Sequence, residues 1–449
     1  MKSGMTASTF QQLEKILNNP KESGIDIDAL IYVFTSPSFP YATIVGKVTD
    51  EDKLQASIEV MVKEQICQPI QEGDGYKFTI LTGQNILAFN NSTAMLVSVA
   101  GSNLENTQKS ISELMKQSAE KSILNNAGFQ KMQKQKGDIN VLASLDALPA
   151  PYAQQIKMGI ANTNINGQDI KALGNLNFEK GKIAIQFEYY TENEEIKAML
   201  KKQQKALIKL NTNLLKYFPS STLAFLGVGA NGEELYNLLQ DNEEFRNYMS
   251  LTKADEMKGL FSSFNGDIAI GLLNVNLMKN TPTILAYADV KNGNALKALY
   301  DNQKSFLKKG EEIRKLGENE YVLQTKEMNL FFGLKDKLLY ATNDEITYKS
   351  RGKAEEKSIK DTGYASDIKG KNFFFVINAE AILELPIVKM AVGFGGEEYQ
   401  TYYQLASQIS YLEISNVNDD VTEIDLILKN KETNALKQIV DFAKQFAGM

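Results

Sequence analysis

Ala42-Thr43-Ile44-Val45-Gly46 is a short β-branched run that leads into the acidic turn Asp50-Glu51-Asp52. A helical pattern follows, with Leu54, Ile58, Met61 and Val62 on one face. About 240 residues further on, Pro282-Thr283-Ile284-Leu285-Ala286 repeats the arrangement. It leads into Asn292-Gly293 and a helix with Leu296, Leu299, Phe306 and Leu307 at helical spacing. The agreement then continues in order. Gly75-Tyr76-Lys77-Phe78 parallels Glu320-Tyr321-Val322-Leu323, residues 86–91 (ILAFNN) parallel 331–336 (FFGLKD), and Met95-Leu96-Val97 parallels Leu338-Leu339-Tyr340. Each set predicts three short strands joined by tight turns. Residues 138–143 (DINVLA) parallel 372–377 (NFFFVI), each strand preceding a helix with an early proline, Pro149 or Pro386. A hairpin closes each half, residues 176–185 beside 412–421, with final helices starting near Glu194 and Thr433.

This ordered recurrence predicts an α+β fold of two tandem homologous units, each a mostly antiparallel sheet with helices packed on one face. The boundary is expected near Tyr217 to Ser220, giving a first unit over residues 1–217 and a second over 218–449. A long helix ending at Phe218 is expected to belong to the first unit and abut the second. The second half opens with a strand and helix in residues 219–239 (PSSTLAFLGVGANGEELYNLL), and the first half shows no counterpart. About 25 residues are therefore expected to precede Met1 in the natural protein, and without their strand the first sheet should show an open edge suited to association.

Composition removes several function classes. The chain has 449 residues, 43% hydrophobic and 23% charged, enough for a sizeable interior and roughly two or three domains. It contains no histidine, so a Ser-His-Asp triad, a Cys-His pair and His-ligated metal sites are excluded for this chain alone. One cysteine, Cys67, permits neither an intrachain disulfide nor a cysteine zinc site, and as a nucleophile it would need a carboxylate or lysine base. A net charge of -6 argues against nucleic-acid binding through bulk positive charge. No apolar run reaches about 18 residues, and the first residues show neither an apolar core nor a cleavage site of a secretory signal.

The candidate motifs each have a plainer reading. Gly227-Val228-Gly229-Ala230-Asn231-Gly232 matches G-x-G-x-x-G between a strand and a helix, the setting in which backbone approaches a pyrophosphate. The following residues, Asp241 to Phe261, continue as helix rather than a second parallel strand, so a helix-entry turn is expected. Gly393-Phe394-Gly395-Gly396 follows a helix and reads as its stop. The acidic runs Asp50-Glu51-Asp52, Glu192 to Glu195 and Asn418-Asp419-Asp420 fall at turns and helix starts, where they cap N–H groups. Lys197, Lys201, Lys202, Lys205, Lys209 and Lys216 stud one long helix as a solvated face, with contact to anionic lipid the sharper alternative. Ser118-Ala119-Glu120-Lys121 is a chance S-x-x-K match. Tyr399, Tyr402 and Tyr403 are candidate ligand-binding residues, an aromatic surface for a sugar or peptide, against core or rim packing as the plainer reading. No residue is singled out as catalytic or metal-ligating, and no motif asks for a cofactor.

Residues 18–34 (NNPKESGIDIDALIYVF) and residues 219–239 resemble an uncharacterised envelope protein family of Bacteroidetes, catalogued as domain of unknown function 4836, over nearly the whole chain. The resemblance implies a secreted lipoprotein with a signal peptide and a lipid-bearing cysteine upstream of the globular part, and it brings no catalytic residues. Cys67, deep in the chain, cannot be that cysteine. The expected function is a non-enzymatic binding or scaffold module of the cell envelope, periplasmic or surface-exposed. Its partner would be a protein or glycan, and it would meet the membrane only through a lipid anchor absent from this chain. The alternatives are a histidine-free hydrolase acting through carboxylates and a small-ligand carrier with an apolar pocket.

Overall fold

A computed structural model of the chain describes residues 14–15, 18–81, 84–99, 104–148, 150–151, 153, 166–241, 245–246, 254–276, 281–301, 303–305 and 307–447. Pro149 and Phe306, singled out above, lie outside the described residues. The fold is α+β, and its two sheets are antiparallel at every described pairing. Two compact units divide at Asn126 and Ala127.

The unit Met1–Asn126 holds β1 (Tyr32–Ser36), β2 (Phe39–Lys47), β3 (Gln71–Glu72), β4 (Lys77–Leu81), β5 (Asn85–Phe89) and β6 (Thr93–Ser98). They pair in the order β1-β2-β6-β5-β4-β3. Helix α1 (Glu51–Lys63) starts where the Asp50 carboxylate accepts the Lys53 N–H at 3.0 Å. It turns Leu54 and Ile58 onto Val48, Cys67, Phe89 and Ala94. Helix α2 (Leu104–Met115) turns Ile111 onto Phe39, Phe78, Ile86, Met95 and Val97. Each helix thus buries one apolar stripe, and the sheet supplies the other half of each core.

Among the described residues the unit Ala127–Met449 carries thirteen strands. They are β7 (Ile139–Ser144), β8 (Lys171–Glu179), β9 (Lys182–Tyr190), β10 (Ala224–Asn231), β11 (Phe264–Asn276), β12 (Thr281–Val290) and β13 (Glu312–Gly317), then β14 (Glu320–Gln324), β15 (Asn329–Lys335), β16 (Leu338–Thr342), β17 (Phe373–Asn378), β18 (Ile409–Asn416) and β19 (Val421–Leu428). Their order is β13-β14-β15-β16-β12-β11-β10-β17-β18-β19-β9-β8-β7. The run β11-β12-β16-β15-β14-β13 follows, rank for rank, the order of the smaller sheet. The helices are α3 (Ala127–Met132), α4 (Glu194–Ala206), α5 (Gly232–Leu239), α6 (Ala254–Ser263), α7 (Asn294–Asp301), α8 (Glu345–Ser350), α9 (Ala365–Ile368), α10 (Ala379–Leu383), α11 (Pro386–Phe394), α12 (Gly396–Ala406) and α13 (Ala435–Ala447). Strands β7 to β9 join this sheet through β9 and β19, registered from Val421 opposite Glu188 to Ile427 opposite Lys182. Compactness therefore divides the chain at residue 126, while the sequence recurrence marks residues 217–220.

The lysine-studded helix requires a correction. It ends at Ala206, so Lys209 and Lys216 lie beyond it. The next residues run beside β10, with the Ile208 N–H donating to the Gly229 carbonyl at 2.9 Å. At Thr212 the backbone turns left-handed (φ 70), where the buried Asp267 carboxylate accepts the Asn211 and Thr212 N–H groups. The chain then drops Leu214, Leu215 and Phe218 into the main core, among Phe225, Tyr287, Tyr340 and Phe374. These leucines keep helical spacing in the sequence, but burial against β10 and β11 decides their conformation.

Candidate functional site

Two features of the larger unit stand apart from ordinary core and surface. The first is a pair of acids inside the sheet. Glu413 of β18 lies directly opposite Asp425 of β19, and Asp425 lies opposite Ala184 of β9. Both acids are buried. Lys182 of β9 approaches the Asp425 carboxylate at 3.0 Å and Glu423 at 3.7 Å. Among the described residues, Glu413 Oε2 and Asp425 Oδ1 find no hydrogen-bond partner. Burial, then repulsion from Asp367 and Asp425, pushes the Glu413 carboxyl up to about 7, against the pull of Lys182 and Lys371. Burial also raises Asp425, partly offset by its hydrogen bond to Lys182. Near neutral pH Glu413 is therefore poised between its acid and its anion. Tyr411, on the same strand, is raised by burial and by Glu413 and packs edge-on against Tyr364.

Such a pair can hold and release a proton, which is what a carboxylate hydrolase would ask of its acid. A hydrolase also needs room for substrate. The groove beside these strands, roughly 310 Å³, is lined by Gln135, Lys136, Asn175, Asn177, Gln186, Phe187, Glu188 and Val421, and neither Glu413 nor Asp425 reaches it. A second hollow, in the smaller unit, is lined by Glu14, Lys15, Asn18, Asn19 and Glu22. Apart from Phe187 and Val421, the residues named for both hollows are of polar or charged type. Sequence reading did not find the acid pair, because Leu412-Glu413-Ile414 alternates like a strand with Glu413 on its solvent side. The pairing reveals the burial: Glu413 lies between β17 and β19, and Asp425 between β18 and β9, the last some 240 residues away in sequence.

The second feature is the hairpin of α11 and α12, which pack on each other. Pro386 opens α11, and the break between the helices falls at Gly395 and Gly396, the latter at φ 74, where glycine bears no steric cost. Phe394, at the end of α11, is 91% exposed. Met390, Tyr399, Tyr402 and Leu405 are exposed too. The Tyr402 hydroxyl donates to Glu398 Oε1 at 3.0 Å. Of the three candidate tyrosines, Tyr399 and Tyr402 are exposed on α12 and Tyr403 is half-buried. Tyr411, adjacent in sequence, belongs instead to the packing around the main core.

The other motifs fall where the plainer readings put them. Gly227 and Gly229 lie within β10, which pairs antiparallel with β11, so no parallel crossover forms a dinucleotide site. A side chain on Gly229 would strike the Ile208 carbonyl, and one on Gly232 the Phe261 carbonyl. These glycines serve close backbone packing. Asp50 caps α1, Asn193 caps α4, and Asn418 accepts the Asp420 and Val421 N–H groups in the turn before β19. The Cys67 thiol is buried and donates weakly to the Ile58 carbonyl at 3.8 Å. Among the described residues no group of three or more Cys, Asp or Glu could hold a metal ion. Among them, too, no helix is long and apolar enough to cross a membrane.

Comparison with known proteins gives a family and little more. Residues 1–436 match a family model described as "Domain of unknown function (DUF4836)". No curated protein matches. The solved structure of TP0453 in its crystal form IV is similar over 53% of this chain and 98% of its own, at 9% identity and a TM-score of 0.29, too distant to carry an argument.

Proposed function

We propose, for a chain that belongs to the DUF4836 family, a non-enzymatic role as a binding or scaffold protein of the cell envelope that meets its partner through α11 and α12. The observation that carries this reading is that Met390, Phe394, Tyr399, Tyr402 and Leu405 are all exposed on one helical hairpin. Exposed apolar side chains scattered singly are ordinary, whereas several together mark a contact surface. Aromatic side chains and methionine are the types enriched where proteins meet, which favours a protein partner over a glycan. The envelope location and a lipid anchor in the natural form rest on the family resemblance. The hydrolase alternative draws on Glu413 and Asp425, which neither of the two hollows described above reaches. The carrier alternative draws on neither hollow, since both are lined mainly by polar side chains.

The test is chemical crosslinking of the intact protein in a solubilised envelope fraction, beside the double variant Phe394→Glu/Tyr402→Glu. Both side chains are exposed, so the variant should keep its stability to within about 0.5 kcal/mol. A discrete crosslinked protein species that the variant loses is the expected result. Crosslinking unchanged in the variant would remove the hairpin from the reading. Ester or glycoside hydrolysis abolished by Glu413→Gln would replace it with the hydrolase.

A further inference from the structure

The groove beside β7, β8 and β9 takes part in neither the acid pair nor the helical hairpin. Residues directly opposite in neighbouring antiparallel strands share a face of the sheet. Asn140 of β7 stands opposite Asn175 of β8, Asn175 opposite Gln186 of β9, and Gln186 opposite Glu423 of β19. Asn177 lies two residues from Asn175 and so on the same face. Asparagine is depleted in strands, yet three stand together here.

The segment between α3 and β7 closes over this row. A side chain on Gly137 would strike Asn140 Oδ1 and the Asn175 side chain, so glycine permits the close approach. Three contacts fasten the segment and the helix before it. Asn140 Nδ2 donates to the Gln135 carbonyl at 3.4 Å, the Phe178 N–H donates to Asp138 at 2.8 Å, and Lys131 of α3 pairs with Glu188 of β9 at 2.9 Å. The groove of roughly 310 Å³ is lined by Gln135 and Lys136 from this segment and by Asn175, Asn177 and Gln186 from the strands. All its lining residues are among those described.

The hydrogen-bonding capacity of the lining is only partly used. Asn177 Nδ2 donates to Asn175 Oδ1 at 2.9 Å, and Gln186 Nε2 donates to Glu423 Oε1 at 3.1 Å. The other end of each of these amides has no partner among the described residues. Gln135 Oε1 and Asn140 Oδ1 find none either, although both oxygens are shut off from solvent. An acceptor buried without a donor is costly. The last torsion of a glutamine is soft, so the Gln135 oxygen can turn toward a donor in the groove.

These features select a ligand chemistry. An amide both donates and accepts, and so does a hydroxyl. The ionic groups of the lining are Lys136 and Glu188, one of each sign, and Glu188 already holds Lys131. That balance favours a neutral ligand over an ion. Only Phe187 and Val421 among the lining residues are apolar, which disfavours an apolar ligand. The volume is at the lower end of the roughly 300–1,000 Å³ that holds a small molecule. We propose that this groove binds a neutral saccharide of one or two rings through Gln135, Asn175, Asn177 and Gln186, as a free sugar or as the end of a glycan. The site is separate from the α11–α12 hairpin, and the argument for it does not depend on that surface or on the envelope reading.

Saturation-transfer NMR on the full chain tests it, with glucose, galactose, N-acetylglucosamine and maltose as probes and with glucuronate and trialanine as controls. Saturable binding of at least one neutral sugar is expected. Its dissociation constant should rise about tenfold or more in Asn175→Ala/Gln186→Ala, which removes two of the amides. Circular dichroism checks the fold of this variant, and Gln135→Ala, outside the strands, takes its place if it fails to fold. Equal binding of the methyl glycoside would identify a glycan end as the source and its loss the free sugar, and either supports the site. No neutral sugar bound, binding indifferent to the amide variants, or binding of glucuronate or trialanine alone would overturn the proposal.

Discussion

Glu413 shows how much one side chain can owe to the strands on either side of it. Its carboxyl is pushed up to about 7, against 4.5 for an ordinary glutamate. Between those values the folded chain holds more protons than the unfolded one. The stability this group contributes is therefore complete below the unfolded value and is lost as pH rises through the folded value. Glu413→Gln removes the titration and keeps the shape. Its unfolding free energy, from denaturant melts, should gain on the wild type between about pH 5 and pH 8, by on the order of 2–3 kcal/mol. A gap that stays level with pH would mean that water reaches the carboxylate. The signs of such a residue are absent from its neighbourhood in the sequence. Leu412 and Ile414 make Glu413 look like the wet side of a strand, whereas Val376 across β17 and Asp425 across β19 make it dry.

At the scale of elements, local patterns told the truth where a segment makes its own decision. The meander strands β4 to β6 and β14 to β16 are legible because short apolar runs between turn residues need only pair with their neighbours. The cap at Asp50 is legible because a capping side chain bonds only two or three residues away, whereas at the start of α4 the cap is Asn193 rather than the acids around it. The segment after α4 is different. Leu207 and Leu210 continue the helical spacing of α4, yet Leu207 bridges Ala230 and the stretch runs beside β10 before Asn213–Tyr217 forms a short 3-10 turn. Gly229 makes that approach possible. Gly229→Ala should cost about 1–3 kcal/mol, because the Ile208 carbonyl has no room to retreat without leaving the strand. Gly393→Ala, whose added carbon meets nothing within 4 Å, should be near neutral. Thermal melts of the two variants make the comparison, and equal midpoints would show that the Ile208 contact is loose.

For the whole molecule, the cores are separate. Met1–Asn126 packs around Ile58 and Ile111, and Ala127–Met449 packs around Phe374, with satellites at Ile170 and Tyr321. Calorimetry should show two unfolding transitions. Ile111→Ala should lower one midpoint and Phe374→Ala the other, each costing about 2–5 kcal/mol. One transition shifted by both variants would mean a single cooperative block. The α+β class and the order of elements along the chain could be read from the sequence, but the compact division at residues 126 and 127 is not marked there. That division depends on β9 choosing β19 as its neighbour, and no local pattern around Lys182–Tyr190 announces a partner so far away.

That choice sets a timetable for the chain during its synthesis. β9 is finished at Tyr190, and the strand that covers its edge is complete only at Leu428. At about 5–20 residues per second, translation leaves β9 waiting on the order of ten to fifty seconds for its neighbour. Through that interval the β8–β9 hairpin bears an edge open to any passing strand, and a ribosome that stalls before residue 421 would release a chain whose larger sheet cannot close over it.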